Sequence, residues 1–109
     1  MIFVTAEVDK NKILQKVVIS GHSGFAKKGK DIVCSAVSIL LQSLYLSLNN
    51  IGDVKIYYAD DKEKVLLEIK EYVNDVEGEL RGITLQFILG IKSLSKEYNK
   101  YISFMLKEN

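Results

Sequence analysis

Ile2, Val4, Ala6 and Val8 alternate with Phe3, Thr5, Glu7 and Asp9, the two-residue period of a half-buried strand. Asp9-Lys10-Asn11-Lys12 supplies a polar turn, and the β-branched run Val17-Val18-Ile19 ends at Ser20-Gly21. The first two strands are therefore expected to form a hairpin. The period then changes. Val33, Val37, Leu40, Leu44 and Leu48 recur at helical spacing up to about Asn50, with Asp31 placed to cap the start. Ile32, Ala36, Ile39, Leu41 and Leu46 widen that apolar face beyond the stripe one sheet would cover. Such a helix calls for a second partner surface, and another copy of the chain is the simplest supply.

Asn49-Asn50-Ile51-Gly52 stops the helix. Val54 to Ala59, the polar Asp60-Asp61-Lys62-Glu63 and the alternating Val65, Leu67 and Ile69 read as a second hairpin. Leu80, Ile83, Phe87, Ile88, Ile91 and Leu94 then share one face of a second helix. Gly82 and Gly90 weaken it and are expected to permit close packing on the sheet. Ile102, Phe104 and Leu106 form a last strand. The order β-β-α-β-β-α-β predicts an α+β fold, with an antiparallel or mixed sheet of about five strands and two helices on one face. The strand order is not contained in these patterns. No linker, repeat or low-complexity tract divides the 109 residues, so 1–109 is expected to be a single domain.

Charge excludes little and favours little. Fifteen basic against fourteen acidic residues give +1, so no global field points to nucleic acid or an acidic membrane. Lys27, Lys28 and Lys30 form the one compact basic patch, read first as a solvated loop and alternatively as an RNA-phosphate contact in a non-catalytic ribosome-assembly module. The start of the chain lacks the basic and apolar regions of a signal peptide, and a lone cysteine fits a reducing cytoplasm. Ile32 to Gly52 carries no charge over 21 residues, long enough for a bilayer. Its Ser35, Ser38, Gln42, Ser43, Ser47, Asn49 and Asn50 would need partners in lipid, which favours a buried helix over a membrane span. One histidine and one cysteine offer too few ligands for a metal site, and no cofactor is expected.

That histidine and cysteine stand in one stretch. His22 follows the second strand, glycines at 21, 24 and 29 loosen the loop, and Cys34 falls in the first turn of the apolar helix. Unpaired N–H groups and the helix dipole favour a thiolate there. The loop is long enough to bring the imidazole to the sulfur as general base, and the N–H groups around Cys34 and Ser35 are the expected oxyanion donors. The residues alone leave a second reading open, a small buried cysteine beside a turn histidine. Asp31 is a cap first and an orienting partner for His22 second. Ser38, one turn past Cys34, either hydrogen-bonds into the site or is an ordinary helix serine. Gly24 to Lys30 also fits the G-x-x-x-x-G-K core of a phosphate-binding loop. Asp31 stands where that loop needs Ser or Thr, and its carboxylate would repel phosphate. The Tyr57-Tyr58 pair reads as strand packing rather than a base-stacking platform.

Gly21-His22-Ser23-Gly24 followed by Gly29-Lys30-Asp31-Ile32-Val33-Cys34-Ser35-Ala36-Val37-Ser38 resembles the signature of the ribosomal-processing cysteine proteases, a family of small bacterial proteins. Chain length and element order are similar as well. The resemblance implies a cytoplasmic, homodimeric cysteine endopeptidase that removes the N-terminal extension of a large-subunit ribosomal protein, cutting after an aromatic residue. Its substrate is a peptide, with no membrane and no direct nucleic-acid contact required. By position, His22 and Cys34 match the catalytic dyad, and Asp31 and Ser38 match motif positions. Gly21, Gly24 and Gly29 belong to a mobile, substrate-ordered loop. Ser23 and Ser35 stand where alanine is common in the family, and Ser35 adjoins the nucleophile.

Overall fold

The computed structural model describes residues 1–27 and 29–109. Five strands and two helices follow in the order anticipated: β1 (Ile2–Val8), β2 (Leu14–Gly21), α1 (Ile32–Ile51), β3 (Val54–Asp60), β4 (Lys64–Tyr72), α2 (Glu77–Glu97) and β5 (Ile102–Glu108), with a 3-10 turn at Asn74–Val76 before α2. The sheet is mixed, in the order β3-β4-β2-β1-β5. β1–β2, β2–β4 and β3–β4 are antiparallel, whereas β1–β5 is parallel, with Ile2 opposite Ile102 and Val4 opposite Phe104. The chain thus closes its sheet by laying its last strand beside its first.

Alternation in β1 has the predicted consequence: Ile2, Val4, Ala6 and Val8 are buried while Phe3 is exposed. On that face lie the two helices, packed against each other, in a two-layer arrangement around one core. α1 contributes Val33, Val37, Leu41, Leu44 and Leu48, and α2 contributes Leu80, Phe87, Ile88 and Ile91. α1 is long and apolar enough to cross a bilayer by length and composition, and here one face of it lines the core while Ile32, Ile39 and Leu46 stay exposed. Tyr58 packs against Tyr45 of α1, ring centroids 4.8 Å apart, as a strand-packing residue.

Two expectations need correction. Gly82 does not mediate close packing, since a Cβ there would meet nothing within 4 Å. Gly90 does, but its neighbour is Leu40 of α1, whose Cδ2 would stand 2.9 Å from the added carbon. It therefore sets the distance between helices rather than the fit on the sheet. Thr84, polar in composition, is buried on the core face of α2. Its Oγ1 accepts the Leu14 N–H at 3.0 Å, so the start of β2 is tied to α2.

Candidate active site

Gly21 closes β2 opposite Ile2 with φ +83°, and a Cβ there would overlap the Met1 carbonyl oxygen. Only glycine fits both the conformation and the approach, and the turn it makes sends His22 out of the sheet as an exposed residue. The chain then runs through Gly24 and Gly29, both at positive φ, to Asp31.

Asp31 is the N-cap of α1. Its Oδ1 accepts the N–H groups of Val33 and Cys34, each at 3.0 Å, as short acceptor side chains do at this position. Its Oδ2 accepts the Ser23 hydroxyl and, at 3.5 Å, the Ala26 N–H. The Ser23 hydroxyl above all, aided by the N–H groups of Cys34 and Ala26, outweighs the raising effect of burial and lowers the Asp31 pKa from 3.8 to about 2. An acceptor-only carboxylate with these partners caps the helix and braces the loop. Among the described residues its hydrogen bonds serve the cap and the loop, and none reaches His22. Its position also closes the phosphate-loop alternative, because a carboxylate already occupies the helix N-terminus an anion would need.

Cys34 is half-buried at the third position of α1. Its thiol donates to Ser23 Oγ at 3.6 Å, and among the described residues no hydrogen bond joins it to His22. Both nevertheless line one cleft of about 560 Å³, whose wall comprises His22, Gly24, Ala26, Gly29, Asp31, Cys34, Ser35 and Ser38. Every site residue anticipated from the sequence lies on that wall except Gly21, which sits at the joint before it. Ser35 and Ser38 are exposed there. Of the basic patch, Lys27 and Lys30 are exposed and joined by a Lys30 N–H to Lys27 carbonyl bond of 2.9 Å, and Lys28 lies outside the described residues.

The expected oxyanion donors require correction. The Cys34 N–H is held by Asp31 Oδ1, and the Ser35 N–H donates to the Asp31 carbonyl at 3.1 Å. Neither is free for a developing oxyanion. Two further residues escaped the sequence reading. Ser23 is buried at the centre of the network, a role that no local pattern marks. Phe25 packs its ring edge-on against Tyr98 and Tyr101, at centroid distances of 5.9 and 5.2 Å, anchoring the loop to the corner between α2 and β5. No group of three or more His, Cys, Asp or Glu side chains among the described residues could hold a metal ion.

With this geometry in view, comparison with known proteins is consistent at every scale. The chain is 35% identical over 91 residues, 82% of its length and 84% of the relative's, to the ribosomal processing cysteine protease Prp of Mycoplasma pneumoniae. Its fold matches the crystal structure of SMU.848 from Streptococcus mutans at 26% identity and a TM-score of 0.82, covering 100% of this chain and 96% of that one. It also matches the essential ribosomal processing protease Prp from Staphylococcus aureus, crystallised with a covalently linked product peptide. There the identity is 24% and the TM-score 0.82, with coverage of 98% and 100%, a likeness of fold. The family described as cysteine protease Prp matches residues 1–103, and this chain belongs to that family.

Proposed function

We propose that this cysteine protease removes the N-terminal extension of a bacterial large-subunit ribosomal protein, cutting after an aromatic residue with Cys34 as nucleophile and His22 as general base. The observation that carries this reading is that the chain's one cysteine and one histidine line the same cleft, the cysteine in the first turn of a helix. The ribosomal substrate is supported by the name of the M. pneumoniae relative. A peptide substrate is supported by the product peptide linked to the S. aureus protein.

In this mechanism the imidazole takes the Cys34 proton as sulfur attacks the carbonyl carbon. The resulting imidazolium returns that proton to the leaving amine, and the C–N bond breaks to give a thioester. Water, deprotonated by the same imidazole, then hydrolyses the thioester and restores the thiol. Because Asp31 holds the amides beneath the sulfur, the oxyanion is received by other donors on the cleft wall, of which the Ser38 hydroxyl is the foremost side chain.

The enzyme acts as a cytoplasmic homodimer in this reading. Ile32, Ile39 and Leu46, seven residues apart along α1, are 56%, 58% and 64% exposed, a stripe that a second copy would cover. Sedimentation equilibrium should return twice the chain mass, and Leu46→Lys should halve it.

The decisive measurement is cleavage of a synthetic peptide spanning an aromatic-ended extension. Wild-type protein should release the extension, while Cys34→Ala should bind the peptide and leave it intact. Full turnover by Cys34→Ala would end the proposal.

A further inference from the structure

A serine hydroxyl has one proton to donate and two lone pairs to offer, and Ser23 has all three in use. Its proton goes to Asp31 Oδ2, while its oxygen accepts the Phe25 N–H at 3.1 Å and the Cys34 S–H at 3.6 Å. The side chain is buried, 4% exposed, so water does not readily replace any of these partners. Asp31 can only accept, and it is fixed from its other side by the N–H groups of Val33 and Cys34. The Ser23 proton is thereby committed, and the sulfur faces a lone pair. Such a partner welcomes a thiol and opposes a thiolate.

We infer that Ser23 is a positioning residue that holds resting Cys34 as a thiol whose proton points away from His22, and that movement of the loop carrying Phe25 releases it. The inference rests on Cys34 being the nucleophile. Attack requires the sulfur proton to pass to the imidazole, yet in this arrangement it lies on the Ser23 side. The link to the loop is direct. The Phe25 N–H occupies one Ser23 lone pair, and the Phe25 ring is seated on Tyr98 and Tyr101. A peptide that lifts Phe25 from the tyrosines also withdraws its N–H from Ser23. The hydroxyl can then turn its proton toward sulfur as the thiol proton leaves for His22. Net proton transfer is from Cys34 to His22, and Asp31 remains a carboxylate throughout.

With one cysteine in the chain, the infrared S–H stretch of the free enzyme is a single band that reports the Cys34 thiol alone. In Ser23→Ala the band should move to the higher frequency of a non-donating thiol. Alkylation by iodoacetamide at neutral pH should be roughly threefold to tenfold faster, the factor carried by one net hydrogen bond. Ser23→Thr, which keeps the hydroxyl, should restore both the band and the rate. Phe25→Ala leaves Ser23 and Asp31 in place and should accelerate alkylation in the same direction. An unmoved band in folded Ser23→Ala, slower alkylation, or a Ser23→Thr variant that behaves like alanine overturns the inference. Cleavage of the extension peptide, measured alongside, separates the two levels. An unmoved band in an enzyme that cleaves removes the latch and keeps the protease reading, whereas an enzyme that never cleaves removes the protease reading and the latch with it, wherever the band lies.

Discussion

Replacing Gly21 with alanine strikes the joint that delivers His22 to the cleft. At φ +83° an L-residue costs about 1–2 kcal/mol in backbone conformation alone. The added Cβ would also overlap the Met1 carbonyl oxygen, a backbone atom that no rotamer change can move aside. Either Met1 or residue 21 must shift, and the pairing of Ile2 with residue 21 gives way, losing about 1 kcal/mol with a ladder hydrogen bond. Gly24→Ala is the natural control. Its φ is +72°, but a Cβ there would meet nothing within 4 Å, so only the conformational part, about 1–2 kcal/mol, remains. Urea denaturation should therefore place Gly21→Ala about 2–3 kcal/mol below wild type, roughly 1 kcal/mol beyond Gly24→Ala. If His22 is the general base, as proposed, the functional effect should exceed the stability effect, because displacing such a base by about 1 Å can cost on the order of a hundredfold in rate. Equal destabilisation by the two variants, or wild-type kcat/KM in Gly21→Ala, would refute the view that the Met1 carbonyl fixes the turn before His22.

Because the folded-state pKa of Asp31 is depressed from 3.8 to about 2, its stabilising effect is complete above 3.8 and is lost as pH falls through about 2. The gap in urea midpoint between wild type and Asp31→Asn should be widest near neutrality and close across that window, and a gap independent of pH would contradict the carboxylate cap. Gly82→Ala should stabilise α2 by up to about 1 kcal/mol. Gly90→Ala should gain less, since its Cβ stands 2.9 Å from Leu40 Cδ2, and the two melting curves decide the order. Thr84→Val leaves the buried Leu14 N–H without an acceptor and should cost about 1–3 kcal/mol, recovered in Thr84→Ser. If Ser38 receives the oxyanion, Ser38→Ala should lower kcat by about a hundredfold to a thousandfold with little change in KM, and an unchanged kcat would assign that role elsewhere.

The strands and helices were legible because each buries one face, and the period of that face is written locally. β1 shows this plainly: Ile2, Val4, Ala6 and Val8 are the residues the alternation selects and the ones the helices cover. Strand order was not legible. The parallel pairing of β1 with β5 joins Ile2 to Ile102, and no local pattern encodes a contact between chain ends. Gly82 and Gly90 carry the same letter in the same helix, yet only Gly90 faces Leu40. Thr84 is silent in the sequence for a related reason. A polar residue on an apolar face reads as an interruption until a partner such as the Leu14 N–H is known.

At the site two elements of the sequence reading exclude each other. An N-cap side chain accepts the N–H of the second or third helical residue. With Asp31 as cap, Val33 and Cys34 hold those positions. The Cys34 N–H could not be both the capped donor and an open oxyanion donor, and the structure resolves this in favour of the cap. What no chain pattern contains is the completion of the network by Ser23. Its hydroxyl meets Asp31 and Cys34 only because the loop folds back on itself, Asp31 lying eight residues and Cys34 eleven residues further along the chain. His22 and Cys34 are therefore brought near each other by chain position, whereas the hydrogen bond to the Cys34 sulfur arises from tertiary closure of the loop.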